Sequence, residues 1–239
     1  MEINRIYRYK QEITLNQDED GFPNWYHETN LQDHTNIMLS RGINVPSFGE
    51  NQNIPVIILR TSKWRSGTSD VPWSDIKVKD TNSLIYFGDG KLRPSRKDIN
   101  IGNQYMMKAF GLHSGSIKDR KKAPPIIYME SIPWNGSQKG YVKFVGIGVI
   151  SKAEVILQKD PISKDIFQNI FFEINFVDLS HDNRVLDWKW INARRTEIGD
   201  DNGSSFLAPK GWADWVENGM VTIFTIKNKV VDHTSSENL

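Results

Sequence analysis

The segment from Tyr141 to Leu157 constrains the fold of this chain more than any other. β-Branched and aromatic residues dominate it, which is typical of a strand. It is longer than the roughly 3–10 residues of most strands, and Gly146 and Gly148 in its middle favour a bend or a β-bulge. A long strand with an internal bend predicts a strongly curved sheet or a barrel.

The same clustering of β-branched and aromatic residues between turn residues predicts five more strands. They run from Ile54 to Thr61, Ser83 to Asp89, Ile126 to Glu130, Phe167 to Leu179 and Met220 to Ile226. Helical spacing predicts three short helices. These run from Ile101 to Phe110, from Asp187 to about Ile198 and from Pro209 to Asn218. Gly111 is predicted to cap the first helix, and Trp212 and Trp215 are predicted to face the core from the third.

These elements predict an α+β, mostly β domain with a curved, barrel-like sheet and a few short helices. Residues 1–52 are interpreted as an irregular N-terminal layer of the same domain, because turn residues recur through them. Residues 53–226 carry the predicted strands and helices. Residues 227–239 are polar and aperiodic, so we expect a tail or the start of a linker.

Composition excludes several classes of function. The chain contains no cysteine, which rules out disulfides, Cys-zinc sites, iron-sulfur clusters and thiol nucleophiles. Its histidines, at positions 27, 34, 113, 181 and 233, form no close pair on one helix face, so we predict neither a metal site nor a cofactor. Neither a long apolar run nor a signal peptide is present, and we expect a soluble, cytoplasmic protein with no membrane partner.

Charge is distributed unevenly along the chain. From Arg60 to Pro125 there are fourteen Lys or Arg against six Asp or Glu, a local balance of +8, although the whole chain carries only +1. Phosphate is the natural partner of such a basic segment.

The segment from Leu84 to Lys91 lies inside this basic third and joins an aromatic strand to an acidic residue between two glycines. The Asp89 carboxylate is suited to accept from the amino group of cytosine, while a ring of Phe87 or Tyr86 stacks on the base. The alternative is that Gly88, Asp89 and the following glycine form only a tight turn. The residues alone leave both interpretations open.

A second functional alternative uses the same aspartate. Asp75 or Asp80, followed by Asp89 and Lys91, matches the layout of a magnesium-dependent nuclease, in which carboxylates hold the metal and lysine polarises water. Short matches of this kind arise often by chance in a charged chain, and a glycine beside the ligand holds it poorly.

Three groups of residues are candidates for contacts to DNA, since they combine cations with small hydroxyl residues or tryptophan. They are Arg60, Lys63, Trp64 and Arg65; Lys91, Arg93, Arg96 and Lys97; and the pair Arg194 and Arg195. Each group is equally consistent with a solvated surface or, for the last pair, with internal ion pairing. Residues 118–122 are interpreted as a solvated basic loop.

In their order, these pieces resemble the SRA-like modified-DNA-recognition domain of modification-dependent restriction endonucleases of the MspJI and AspBHI type. The resemblance covers roughly residues 50 to 220. Besides Leu84 to Asp89, it rests on Gly102-Asn103, Pro125 to Glu130, Val142 to Gly146, Phe167 to Phe172, Trp188 with Arg194 and Arg195, and Ala208 to Trp215.

The resemblance implies a barrel-like SRA-type sheet in residues 53–226 that binds double-stranded DNA and flips out a 5-methyl- or 5-hydroxymethylcytosine. It places Asp89 at the base edge and Phe87 on the base face, with Tyr86 a lesser candidate for the ring and Gly88 between them. Relatives carry a nuclease domain after this reader, so we expect such a domain in cis or in trans and no catalytic residue in this chain. A protein-interaction domain that binds no nucleic acid is the remaining alternative.

Overall fold

A computed structural model describes most of the chain. The described residues are 1–9, 21–29, 37–46, 54–68, 71, 73–78, 81–88, 100–137, 139–160, 162–196 and 206–220, without the side chains of Lys63 and Thr196. Eight strands lie in this part: β1 Ile6–Arg8, β2 Ile43–Asn44, β3 Ile57–Thr61, β4 Ile76–Val78, β5 Ser83–Phe87, β6 Ile126–Ser131, β7 Tyr141–Lys159 and β8 Ile166–Phe176. Five α-helices accompany them: α1 Trp25–Thr29, α2 Ile101–His113, α3 Ile117–Lys122, α4 Trp188–Thr196 and α5 Lys210–Asn218.

All eight strands belong to one mixed sheet. Its order is β2-β3-β6-β7-β8-β5-β4, and β1 pairs with the start of β7. β3 and β6 run parallel, and the other neighbours are antiparallel. The prediction of a mostly β fold with a curved sheet is confirmed.

The curvature comes from two irregularities in β7. Gly146 pairs with Tyr128 and Phe144 pairs with Met129, which leaves Val145 as an extra residue. A second shift, between Ile150 and Lys152, interrupts the pairing with β8. Extra residues bend a strand and increase its twist, so the bulge predicted within this long strand is present.

Most of the sheet is buried on both faces. Ile57 and Leu59 point into one apolar cluster while Ile58 points into the other, and β6 alternates in the same way. The cluster that contains Ile57 and Leu59, called the inner cluster below, lies inside the curve of the sheet. Helix α2 closes it through Met106 and Ala109. Burial on both faces explains why these strands appear in the sequence as uninterrupted apolar runs.

The cluster that contains Ile58, called the outer cluster below, holds most of the tryptophans. It packs the N-terminal layer and helices α4 and α5 against the sheet, with five tryptophans at or below 6% exposure: Trp25, Trp188, Trp190, Trp212 and Trp215. The predicted core position of Trp212 and Trp215 is confirmed.

Within the described residues, β4 has no strand partner other than β5. Two side-chain contacts nevertheless join its neighbourhood to the β3–β6 pair: Thr61 Oγ1 donates to Asp75 Oδ2 at 2.6 Å, and Lys77 Nζ donates to Glu130 Oε2 at 2.7 Å. We call these two contacts the seam. Glu130 is only 5% exposed and also pairs with Lys143 at 3.1 Å, so its buried charge is compensated from two sides.

Two local predictions are wrong. Helix α2 continues through Gly111 to His113, because the side chains of its last turn find buried partners. Residues 117–122 form helix α3, which begins with a capping box between Ser116 and Asp119. Arg120 in this helix donates to the carbonyl oxygens of Val216 and Glu217 at the end of α5, at 2.8 and 3.2 Å.

His113 ties α2 to the sheet. Its Nδ1 accepts from the Ile150 N–H at 2.9 Å, so Nε2 carries the proton and donates to the Pro124 carbonyl oxygen, also at 2.9 Å. The indoles of Trp212 and Trp215 face the same ring edge-on. Burial lowers the pKa of His113 to about 4.

We therefore expect stability to fall with acid. Between pH 6.5 and 4 the unfolded chain protonates this imidazole while the folded chain does not, so the free energy of unfolding decreases as the pH falls, by about 2 kcal/mol at pH 5. Urea unfolding at pH 7 and pH 5 measures this loss. It should be smaller in His113→Gln and unchanged in His181→Gln, whose imidazole is exposed; equal losses in all three proteins would contradict the assignment.

Candidate functional site

A pocket of about 340 Å³ opens where β3 and β5 end. Its volume lies within the range of about 300–1,000 Å³ that is common for ligand sites. One part of its wall is aromatic and acidic, formed by Trp73, Asp75, Tyr86 and Phe87. The other part is basic and rich in hydroxyl groups, formed by Ser40, Arg41, Arg60, Thr61, Ser62, Arg65 and Ser66.

The Asp75 carboxylate is held from two strands. Oδ1 accepts from the backbone N–H of Phe87 at 3.1 Å, and Oδ2 accepts from Thr61 Oγ1 at 2.6 Å. A carboxylate offers about four acceptor positions, and these two bonds fix the directions in which the Asp75 oxygens point. The half-buried aspartate is thus a preoriented acceptor in the pocket wall.

Strand β8 supports the aromatic part of the wall. The ring of Trp73 lies 6.0 Å from that of Phe167, and the ring of Phe87 lies 6.3 Å from that of Phe171, measured between centroids. Tyr86 is 2% exposed and belongs to the inner cluster. Phe87 is half-buried, so between the two ring candidates of β5 it presents more surface.

Gly88 is required by close packing. Its N–H donates to the Ile170 carbonyl oxygen at 2.9 Å, continuing the pairing of β5 with β8. A Cβ atom at this position would lie 2.5 Å from Oδ1 of the buried Asn103 on α2. The close approach of Asn103 therefore leaves no room for a side chain at position 88.

Several predicted residues lie outside the described part of the chain. They are Asp80, Asp89, Lys91, Arg93, Arg96 and Lys97. The pocket does contain Asp75, which the sequence analysis names only as a candidate metal ligand. It also contains Trp73, which the sequence analysis does not name. The sequence signal for this part of the pocket is an aromatic residue two positions before an aspartate, just ahead of a short strand.

The first basic group borders the pocket. Arg60 Nη1 donates to the Tyr9 hydroxyl at 2.6 Å and its guanidinium lies 5.1 Å from the centre of that ring, which fixes its direction. Arg65 is exposed and Trp64 is half-buried in the turn of 3₁₀ helix, Lys63–Arg65, that follows β3. Loops of this kind present cations at the rim of the pocket.

The pair Arg194 and Arg195 does not line the pocket. Arg194 donates from Nε to the Pro55 carbonyl oxygen at 3.0 Å and from Nη2 to that of Ala123 at 2.6 Å, and it lies over the Trp190 ring. These contacts give Arg194 a structural role, holding α4 against the starts of β3 and β6. Burial lowers the pKa of its neighbour Arg195 from the usual value.

A larger, mostly apolar cleft of about 620 Å³ opens at the other end of β5, beside Asn82 and Ser83. Its aspartate, Asp178, accepts from the N–H and the hydroxyl of Ser180 in the same loop. Among the described residues, no group of three or more His, Asp or Glu is arranged to hold a metal ion. In that same part of the chain, no helix combines the length and apolar character needed to cross a bilayer.

Comparison with solved structures gives close matches over nearly the whole chain. MspJI restriction endonuclease, in complex with a 27-mer oligonucleotide, matches with a TM-score of 0.78 and 28% identity over 93% of this chain and 52% of its own. The modification-dependent restriction endonuclease AspBHI gives 0.62 and 19% over 92% and 50%. The DNA recognition domain of the cytosine modification-dependent endonuclease LpnPI gives 0.58 and 16% over 95% and 87%.

The chain spans about half the length of the MspJI and AspBHI chains. Comparison with curated protein sequences gave no match. The family described as restriction endonuclease AspBHI N-terminal matches residues 1–227. Because this match covers nearly all of its 239 residues, the chain belongs to the family of AspBHI-type restriction endonuclease N-terminal domains, as the order of its segments predicts.

Proposed function

We propose that this chain binds double-stranded DNA at a modified cytosine, 5-methyl- or 5-hydroxymethylcytosine, by flipping that base into the pocket at the end of β5. The observation that carries the proposal is the Asp75 carboxylate, fixed between β3 and β5 in a wall that also contains Trp73 and Phe87. Cytosine offers its N4 amino group as a donor, which a carboxylate accepts. A flipped base also needs aromatic or apolar faces on which to stack.

The rim of the pocket supports the same function. Arg60 and Arg65 lie beside the hydroxyl groups of Ser62 and Ser66, and cations with small hydroxyls are common partners of backbone phosphates. Flipping costs a few kcal/mol in lost stacking and pairing. Phosphate contacts at the rim and stacking in the pocket together offset that cost.

Asp75 and Asp89 are both candidates for reading the base edge. Asp75 lines the pocket, whereas Asp89 follows Phe87 by two positions, outside the described residues. We favour Asp75, because two hydrogen bonds already orient its oxygens within the pocket. The Asp89 role implied by the resemblance stays a prediction.

By analogy with its relatives, the chain acts as the specificity module of a modification-dependent restriction system, with a nuclease domain in cis or in trans. MspJI was solved with bound oligonucleotide, and the LpnPI structure is a DNA recognition domain. The cytoplasmic location expected from the sequence belongs to the same proposal.

The alternative of a magnesium-dependent nuclease uses Asp75 or Asp80 with Asp89 and Lys91. It is tested by incubating the purified chain with methylated plasmid and Mg²⁺. A reader leaves the plasmid intact, and cleavage that disappears in Lys91→Ala would favour the nuclease. Failure to bind any duplex at low salt would favour the third alternative, a protein-interaction domain.

Replacing the base-reading carboxylate should remove selectivity. We expect Asp75→Asn to weaken binding to a duplex carrying 5-methylcytosine by roughly tenfold or more, since one good base-edge contact contributes about 1–3 kcal/mol. Binding to the unmodified duplex should change less than about twofold, because phosphate contacts dominate it. Titration of one duplex with cytosine, 5-methylcytosine or 5-hydroxymethylcytosine at the same position measures both effects.

Two further variants interpret that result. Asp214→Asn, which removes the negative charge from an i,i+4 pair with Lys210 on the surface of α5, is the matched control. Loss of selectivity in Asp89→Asn instead of Asp75→Asn would assign the base edge to Asp89. An unchanged ratio of affinities in both variants would show that the pocket is assigned wrongly.

Removing a cation from the rim should act differently. Arg65→Ala should weaken binding to modified and unmodified duplexes alike, and it should reduce the slope of log K against log salt by about one. Lys189→Ala, an exposed cation on α4, serves as the control. A loss confined to the modified duplex would argue against a phosphate contact.

A further inference from the structure

One buried hydroxyl in the pocket wall holds the Asp75 carboxylate from the neighbouring pair of strands. Thr61, at the end of β3, is 7% exposed and donates its hydroxyl proton to Asp75 Oδ2 at 2.6 Å. Thr61 and Asp75 lie 14 residues apart in the chain, so this contact joins two separate segments of the wall.

The other carboxylate oxygen, Oδ1, accepts from the Phe87 N–H. The Thr61 hydroxyl therefore helps to set the orientation of Oδ2. Recognition of a base edge requires the acceptor to be held close to the productive geometry by its supporting contacts.

We infer that Thr61 is a positioning residue for base recognition: its hydroxyl orients the Asp75 carboxylate toward the flipped base. This inference rests on the proposed function. Selectivity for a modified cytosine then depends on a nearly buried hydroxyl group in the pocket wall, on a strand that pairs with neither β4 nor β5.

The test separates the hydroxyl of Thr61 from its methyl group. Thr61→Val removes the hydroxyl and nearly preserves the volume, whereas Thr61→Ser retains the hydroxyl and removes the methyl group; affinities for the cytosine and 5-methylcytosine duplexes are measured for both. A hydrogen bond to a charged group is typically worth about 1.5–3 kcal/mol, so Thr61→Val should lose roughly tenfold in affinity for the modified duplex only. Thr61→Ser should stay within about twofold of the wild type.

Lys77→Met is the matched control. It removes the other contact of the seam, Lys77 with Glu130, and it leaves the two hydrogen bonds of Asp75 in place. We expect it to lower the melting temperature without changing the ratio of affinities for the two duplexes. A general loosening of the seam would instead change that ratio in Lys77→Met as much as in Thr61→Val.

The outcomes separate the two proposals. A wild-type chain that binds both duplexes equally overturns the proposed function, and the inference falls with it. A selective wild type with an equally selective Thr61→Val overturns the inference alone. Equal losses in Thr61→Val and Thr61→Ser would also overturn the inference, because Thr61→Ser retains the hydroxyl to which the effect is assigned.

Discussion

Side chains hold the curved sheet shut where backbone pairing stops. In the described part of the chain, β4 and β3 share no ladder, and the seam of Thr61 with Asp75 and Lys77 with Glu130 spans the gap. Curvature in the sheet, produced by the bulges of β7, brings these residues within reach of one another. The inner core and the pocket both depend on this closure, because Asp75 belongs to the seam and to the pocket wall.

The sequence predicts the central strands well because each is buried on both faces. β6 and the first half of β7 contain long apolar stretches, and no competing helical pattern obscures them. The short strands β1, β2 and β4 escape prediction, since each has two or three residues and exists only through pairing with distant strands. β4 even exposes Ile76 and Lys77, so no hydrophobic pattern marks it.

The site follows the same rule. Phe87 is found from the sequence because its segment is a strong strand with an unusual glycine after it. The pocket position of Asp75 depends on hydrogen bonds to residues 12 and 14 positions away, on two different strands. Arg194, one of the two arginines predicted to contact DNA, donates to carbonyl oxygens 71 and 139 residues away, and no local pattern in the sequence indicates these contacts. Local composition shows which kinds of side chain a segment carries. Contacts between segments distant in the sequence decide which groups those side chains meet.

The open seam also explains why a pocket exists at this end of the sheet. Neighbouring strands in a ladder lie about 4.8 Å apart, so continuous pairing between β3 and β4 would leave no room between their ends. Closure by Thr61 and Asp75 keeps the two edges apart while fixing a carboxylate in the gap. In this chain the contact between Thr61 and Asp75 provides an acceptor whose orientation is set before any ligand binds. A complete backbone ladder would not leave that acceptor exposed.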